Sequence, residues 1–144
     1  MKANKLFILF FISMATAFSG YGQSILGKWY SLDPNDEKET IIELYQKEDK
    51  VFGKVIALLQ EEDRQKTCKK CPNEFKNKPL LGLEILRNFT FENELWTNGT
   101  ILVPKTGKEY SCHISLDKDG TLVIRGFVGF SLLGRSTYWY RVES

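Results

Sequence analysis

The sequence predicts an all-β fold, a closed or nearly closed antiparallel meander barrel of about eight to ten strands. Three observations lead there. Short apolar or alternating runs recur at roughly the 8–12-residue spacing of β-sandwiches and barrels. Turn-forming clusters separate them, and no long run of helical periodicity competes. Short connections make neighbours antiparallel, and so many strands in one small domain leave edges that closure into a barrel removes.

The runs follow in order. Residues 28–32 alternate Trp29 with Tyr30 after Gly27 and end at Asp33-Pro34-Asn35-Asp36, a strong reversal signal. Residues 39–47 carry the β-branched Thr40-Ile41-Ile42, and Glu48-Asp49-Lys50 turns the chain into the apolar run 51–59. A polar loop, 60–79, precedes the apolar run 80–86. Residues 95–103 and 108–116 flank Pro104-Lys105-Thr106-Gly107, and the second alternates cleanly through Tyr110, Cys112, Ile114 and Leu116. Asp117-Lys118-Asp119-Gly120 leads to 121–127, and a glycine-flanked apolar connection, Phe130-Ser131-Leu132-Leu133-Gly134, leads to the last run, 136–143. Exposed apolar connections of this kind mark a lid, a partner surface or packing over a barrel mouth, and the mouth is the expectation here.

The N-terminus reads as an export signal. Lys2 and Lys5 precede the apolar run Leu6 to Ile12, and small residues lead to Gly20-Tyr21-Gly22, so cleavage is expected after Gly22. The apolar stretch is too short for a ~30 Å hydrocarbon layer, and no Cys stands at the cut to carry a lipid anchor. The expected organisation is therefore a 1–22 signal peptide and one 23–144 β-barrel domain, periplasmic or secreted, with no membrane span after cleavage. The chain has 20 Lys and Arg against 18 Asp and Glu, and the excess lies wholly in Lys2 and Lys5. A neutral domain with interspersed charges excludes the basic stripe of a nucleic-acid partner. Lys69-Lys70 is a local exception, expected to be solvated loop surface. Nothing in the pattern specifies an oligomeric state.

Few residues could carry chemistry. Cys68 and Cys71, two residues apart in an exported loop, are expected to form a disulfide staple, with Cys112 a buried free thiol; pairing of Cys112 with either is the alternative. A redox Cys-x-x-Cys needs a helix N-terminus or similar field, which an all-β pattern lacks. Zinc would need four ligands, but His113 follows Cys112 on a strand and points to the opposite face, so no metal and no cofactor is expected. His113 is the only histidine, and Ser131 lacks a nucleophile-elbow context, so no catalytic constellation is assembled. Glu43, Glu84 and Arg125 interrupt apolar strand faces. A charge there is costly unless paired, so the three either pair across a wet cavity or form a ladder on the outer face. In the first case Arg125, Glu84 and Glu43, with Phe127 and Trp96, are ligand-binding candidates for a small apolar or amphipathic molecule. A cell-envelope interaction module with a packed interior is the alternative.

Several blocks carry a family resemblance: Gly27-Lys28-Trp29, Gly53-Lys54-Val55, Lys78-Pro79-Leu80-Leu81-Gly82, Gly99-Thr100-Ile101, Thr106-Gly107-Lys108-Glu109-Tyr110, and the close formed by Arg125-Gly126-Phe127, Leu133-Gly134-Arg135-Ser136 and Trp139-Tyr140-Arg141. Together they resemble the small exported bacterial proteins grouped as domain of unknown function 2147. The resemblance implies a lipocalin-like or calycin-like barrel and export, and it brings no catalytic residues. Val103 stands where that family's pattern expects an acid. Gly27-Lys28-Trp29 also resembles the Gly-x-Trp opening of lipocalin-type barrels, whose Trp plugs one end beneath a basic residue of the last strand, a role that Arg141 matches. Protein recovered from the cell envelope or medium is expected to begin at Gln23 or within a few residues of it. N-terminal sequencing that found Met1 in that exported fraction would refute the leader assignment.

Overall fold

A computed structural model describes residues 24–129 and 133–143. The expected leader cleavage and the segment 130–132 lie outside the described residues. Eight strands run in sequence order: β1 (Gly27–Leu32), β2 (Lys38–Lys47), β3 (Lys50–Leu58), β4 (Glu84–Glu92), β5 (Leu95–Val103), β6 (Lys108–Leu116), β7 (Leu122–Phe127) and β8 (Gly134–Arg141). Each pairs antiparallel with its neighbour and β8 returns to β1, so the meander closes into a barrel.

Seven of the strands match the runs read from the sequence. The fourth differs: instead of 80–86, the strand is Glu84–Glu92. The apolar Leu80-Leu81-Gly82-Leu83 is a turn, in which Leu83 N donates to Leu80 O and Gly82 N to Val55 O. The strand itself is polar in part and adopts a left-handed conformation at Asn88, φ 67°. A left-handed residue inside a strand breaks the period-two alternation that marks strands in sequence.

Alternation fixes which side chains enter the barrel. Trp29, Ile42, Leu44, Val51, Phe89, Ile114, Leu122, Ile124 and Trp139 are buried and belong to one hydrophobic cluster. They concentrate at the end carrying the β2–β3, β4–β5 and β6–β7 turns. Gly99 is part of that packing, since a Cβ on it would lie 2.5 Å from the Phe89 ring, so the aromatic fills the space the glycine leaves.

The loop between β3 and β4 forms a second layer outside the barrel. Cys68 and Cys71 are bonded, with Cα atoms 5.3 Å apart, and Cys112 is free and buried. Cys68, Cys71 and Phe75 bury against the outer side of β4–β6, over Ile85 and Leu102. Gly107, at φ 72°, accepts this layer: a Cβ there would lie 1.7 Å from the Lys70 carbonyl oxygen. Arg87 donates to Glu109 Oε1 at 2.6 Å while its guanidinium covers the Phe75 ring at 4.4 Å. Lys69 and Lys70 are exposed, as the loop composition implies.

Closure is made where the chain ends meet. Trp29 pairs with Arg141 and Tyr30 with Tyr140 across β1–β8. The indole is fully buried and donates Nε1 to Ile25 O at 2.9 Å. The Arg141 guanidinium lies 4.2 Å from the indole centroid and donates to Leu26 O at 3.1 Å and Ser24 O at 2.6 Å. Replacing Arg141 by Met keeps the stem and removes these contacts. The expected loss is about 1–3 kcal/mol, read as a lower urea midpoint with an unchanged denaturant slope.

Candidate functional site

The barrel is solid at one end and hollow at the other. A cavity of about 810 Å³ lies at the end carrying the β5–β6 and β7–β8 connections. Its walls come from strand positions that alternation turns inward: Ile101 and Val103 on β5, Tyr110 on β6, Ile124 and Gly126 on β7, and Arg135 and Thr137 on β8. Register supports the orientation, because Ile124 pairs with Thr137 and Gly126 with Arg135, while Ile124 is itself buried. Thr137 faces inward yet is exposed, because the chamber opens to solvent beside it. At the rim stand Val128 and Leu133, 64% and 68% exposed and joined by a Val128 N to Leu133 O hydrogen bond of 3.2 Å. These are the described ends of the apolar connection expected at the mouth; Phe130, Ser131 and Leu132 fall outside the described residues.

Two glycines shape the chamber for different reasons. Gly134 is sterically required, since a Cβ there would lie 2.3 Å from Gly126 O. Gly126 is not: a Cβ on it would meet nothing closer than Ile101 Cγ2 at 3.6 Å, an ordinary contact. Any larger side chain at Gly126 would project into the cavity.

The candidates read from the sequence occupy different places. Glu43 lies between the inward Ile42 and Leu44, and so faces outward, across from Lys28 on β1 and Lys54 on β3. Glu84 follows in the same outer row opposite Lys54, and its Oε2 accepts the Tyr45 hydroxyl at 2.7 Å. Burial first, and then this hydrogen bond to the carboxylate, push the Tyr45 phenol up to about 12. Arg125 faces outward as well, between Ile124 and Gly126, in register with His113 and Ser136, and its Nη1 donates to Ser136 Oγ at 3.4 Å. The expected pairing of Arg125 with Glu84 or Glu43 inside the barrel is therefore corrected. Both sides of these strands carry apolar residues, and the inward set is the other one.

Phe127 contributes to the cavity rim while its ring packs 4.7 Å from His113 on the outer side. Trp96 points inward opposite Ile114, toward the solid end and away from the cavity, with Phe91 5.1 Å away. His113 is held by Thr97, Oγ1 to Nδ1 at 2.8 Å, and Cys112 points to the opposite face. Among the described residues, no group of three or more His, Cys, Asp and Glu could hold a metal ion. No helix among them is long and apolar enough to cross a membrane. A smaller recess of about 260 Å³ lies outside the barrel along Phe75, Lys78, Leu81 and Glu84.

Sequence reasoning missed Arg135 and Thr137 as wall residues, whereas Tyr110 is among the aromatic residues it offers for a cavity. The available signal was parity on β8. Counting back by twos from Trp139, which must be buried near the closing Trp29, gives Thr137 and then Arg135.

The family model described as an uncharacterized protein conserved in bacteria, DUF2147, matches residues 27–141, and the chain belongs to that family. No curated protein matches the sequence. Among solved structures the fold is similar to protein HP1028 from the human pathogen Helicobacter pylori, described as belonging to the lipocalin family. The TM-score is 0.74 at 17% identity, over 85% of this chain and 86% of that one. At that identity the likeness is one of fold.

Burial pushes the Cys112 thiol up to about 12. Cys112 and Tyr45 are both neutral when protonated, and folding favours the protonated forms. Their contribution is intact below the ordinary values, 9.0 and 10.0, and is lost as pH rises from there toward 12. The urea midpoint is expected to fall above pH 9, with Cys112→Ala flattening the first part of that decline. Native protein is expected to resist thiol alkylation at neutral pH and to react once unfolded.

Proposed function

We propose that this protein is an exported barrel that takes up one small, mainly apolar molecule in the hollow end. The observation that carries the proposal is the cavity of about 810 Å³, walled by Ile101, Val103, Tyr110 and Ile124 and rimmed by Val128 and Leu133. Binding sites for small molecules are typically about 300–1,000 Å³, mostly apolar, with a few polar groups. The cavity meets each of those criteria, whereas an interaction module with a packed interior has no use for it.

Export rests on the leader pattern of residues 1–22 and on the Cys68–Cys71 disulfide, a bond that persists in oxidising compartments. The mature chain is then one barrel domain from residue 23 onward.

A neutral fluorescent probe, N-phenyl-1-naphthylamine, tests the cavity directly. The wild-type protein is expected to bind it saturably and one-to-one. Gly126→Phe places a ring in the space that Gly126 leaves open, so it is expected to weaken binding by about tenfold or more while circular dichroism and Tm stay close to wild type. Absence of saturable binding by the wild type, or equal binding by the variant, would overturn the proposal.

A further inference from the structure

We infer that the molecule held in the barrel is a single-chain amphiphile with an anionic head, a carboxylate or a phosphate, and that Arg135 receives that head at the mouth. This rests on the cavity being a binding site and adds the chemistry of its occupant.

The inference starts from charge. Among the described residues, Arg135 is the one group of fixed charge that walls the cavity, and no Asp or Glu lines it. Among the described residues no carboxylate forms an ion pair with Arg135; the ion pairs are Lys66 with Asp63, Arg87 with Glu109 and Lys105 with Glu39. Arg125, on the neighbouring strand β7, is on the outer face and does not compete for the same ligand. A cavity mouth with a cation and no described counter-charge favours an anion over a neutral molecule or a cation, because the field there has one sign.

Position then sets orientation. Arg135, the second residue of β8, lies directly across from Gly126, which has no side chain to crowd the guanidinium, and one inward position nearer the mouth than Thr137 and Ile124. The deeper wall offers Ile124 and Ile101, and below it the barrel is packed solid. A charged head at the mouth and an alkyl chain directed inward is the arrangement that leaves neither part in the wrong medium. The guanidinium fork matches two oxygens of a carboxylate or phosphate, and the hydroxyls of Tyr110 and Thr137 add donors on the same wall.

Displacement of the neutral probe by compounds sharing one decyl chain tests this. Decanoate and decyl phosphate carry the two anionic heads, decanol a neutral one and decyltrimethylammonium a cationic one. Wild-type protein is expected to prefer at least one anion to decanol by about tenfold and to bind the cation worst. In Arg135→Gln that preference is expected to vanish while decanol binds as before, and Arg135→Lys is expected to restore part of it. The anion that displaces best identifies the head group. If decanol competes as well as both anions, or if Arg135→Gln leaves the anion preference intact, the inference fails while the cavity proposal stands. If no decyl compound displaces the probe and the wild type does not bind the probe either, the cavity proposal fails with it.

Discussion

The seam between the first and last strands is the constraint on which the rest depends. Every other strand pair is joined by a connection within the chain, but β1 and β8 meet only because the barrel closes. The seam is short: two register pairs and a Val142 N to Lys28 O hydrogen bond of 3.0 Å. An eight-stranded sheet that failed to close there would expose two edges, the surfaces on which chains pair with each other. The Trp29 indole and the Arg141 guanidinium reinforce this seam with contacts that do not belong to the ladder. A buried ring fixes the inside, and a cation clamps it while capping the Ser24 and Leu26 carbonyls.

With closure secured, the two ends diverge. Toward the turns after β2, β4 and β6, aromatic rings and glycine gaps interlock, as in the Phe89 ring against Gly99. Toward the other end the inward positions become smaller or polar, and β7 and β8 present Gly126, Arg135 and Thr137. Removing inward bulk without removing strands leaves a chamber. The outer layer of residues 60–79 braces one wall of this chamber, because Cys68 Sγ approaches Pro104 O at 3.8 Å and Gly107 packs under Lys70.

Much of the fold was legible in the sequence because alternation and turn chemistry are local. Lys108–Leu116 shows why: Tyr110, Cys112, Ile114 and Leu116 separate cleanly from Glu109, Ser111, His113 and Ser115. Where both faces are apolar, strands could be located but their inward faces could not be chosen. Leu122-Val123-Ile124-Arg125-Gly126-Phe127 reads equally well in either parity, and the choice of the Val123 and Phe127 face put Arg125 inside when it is outside. The same ambiguity at Ile41-Ile42 misplaced Glu43. Distant contacts decide such cases, here the need for Leu122 and Ile124 to meet the inward residues of β6 and β8. The fourth strand was shifted for another reason: its apolar flank, Leu80 to Leu83, serves the loop, and its left-handed Asn88 hides the strand period.

The division between a packed end and a hollow end also bears on how such a protein can diversify. Side chains around Trp29, Phe89 and Trp139 fit one another, so exchange at one requires compensation at its neighbours. Ile101, Tyr110, Arg135 and Thr137 face open space, and Gly126 has no partner that demands a glycine. Substitutions on those walls change the shape and charge of the chamber without disturbing the packing that makes the chain fold. The lining of the open end is therefore free to vary while the packed end is held fixed.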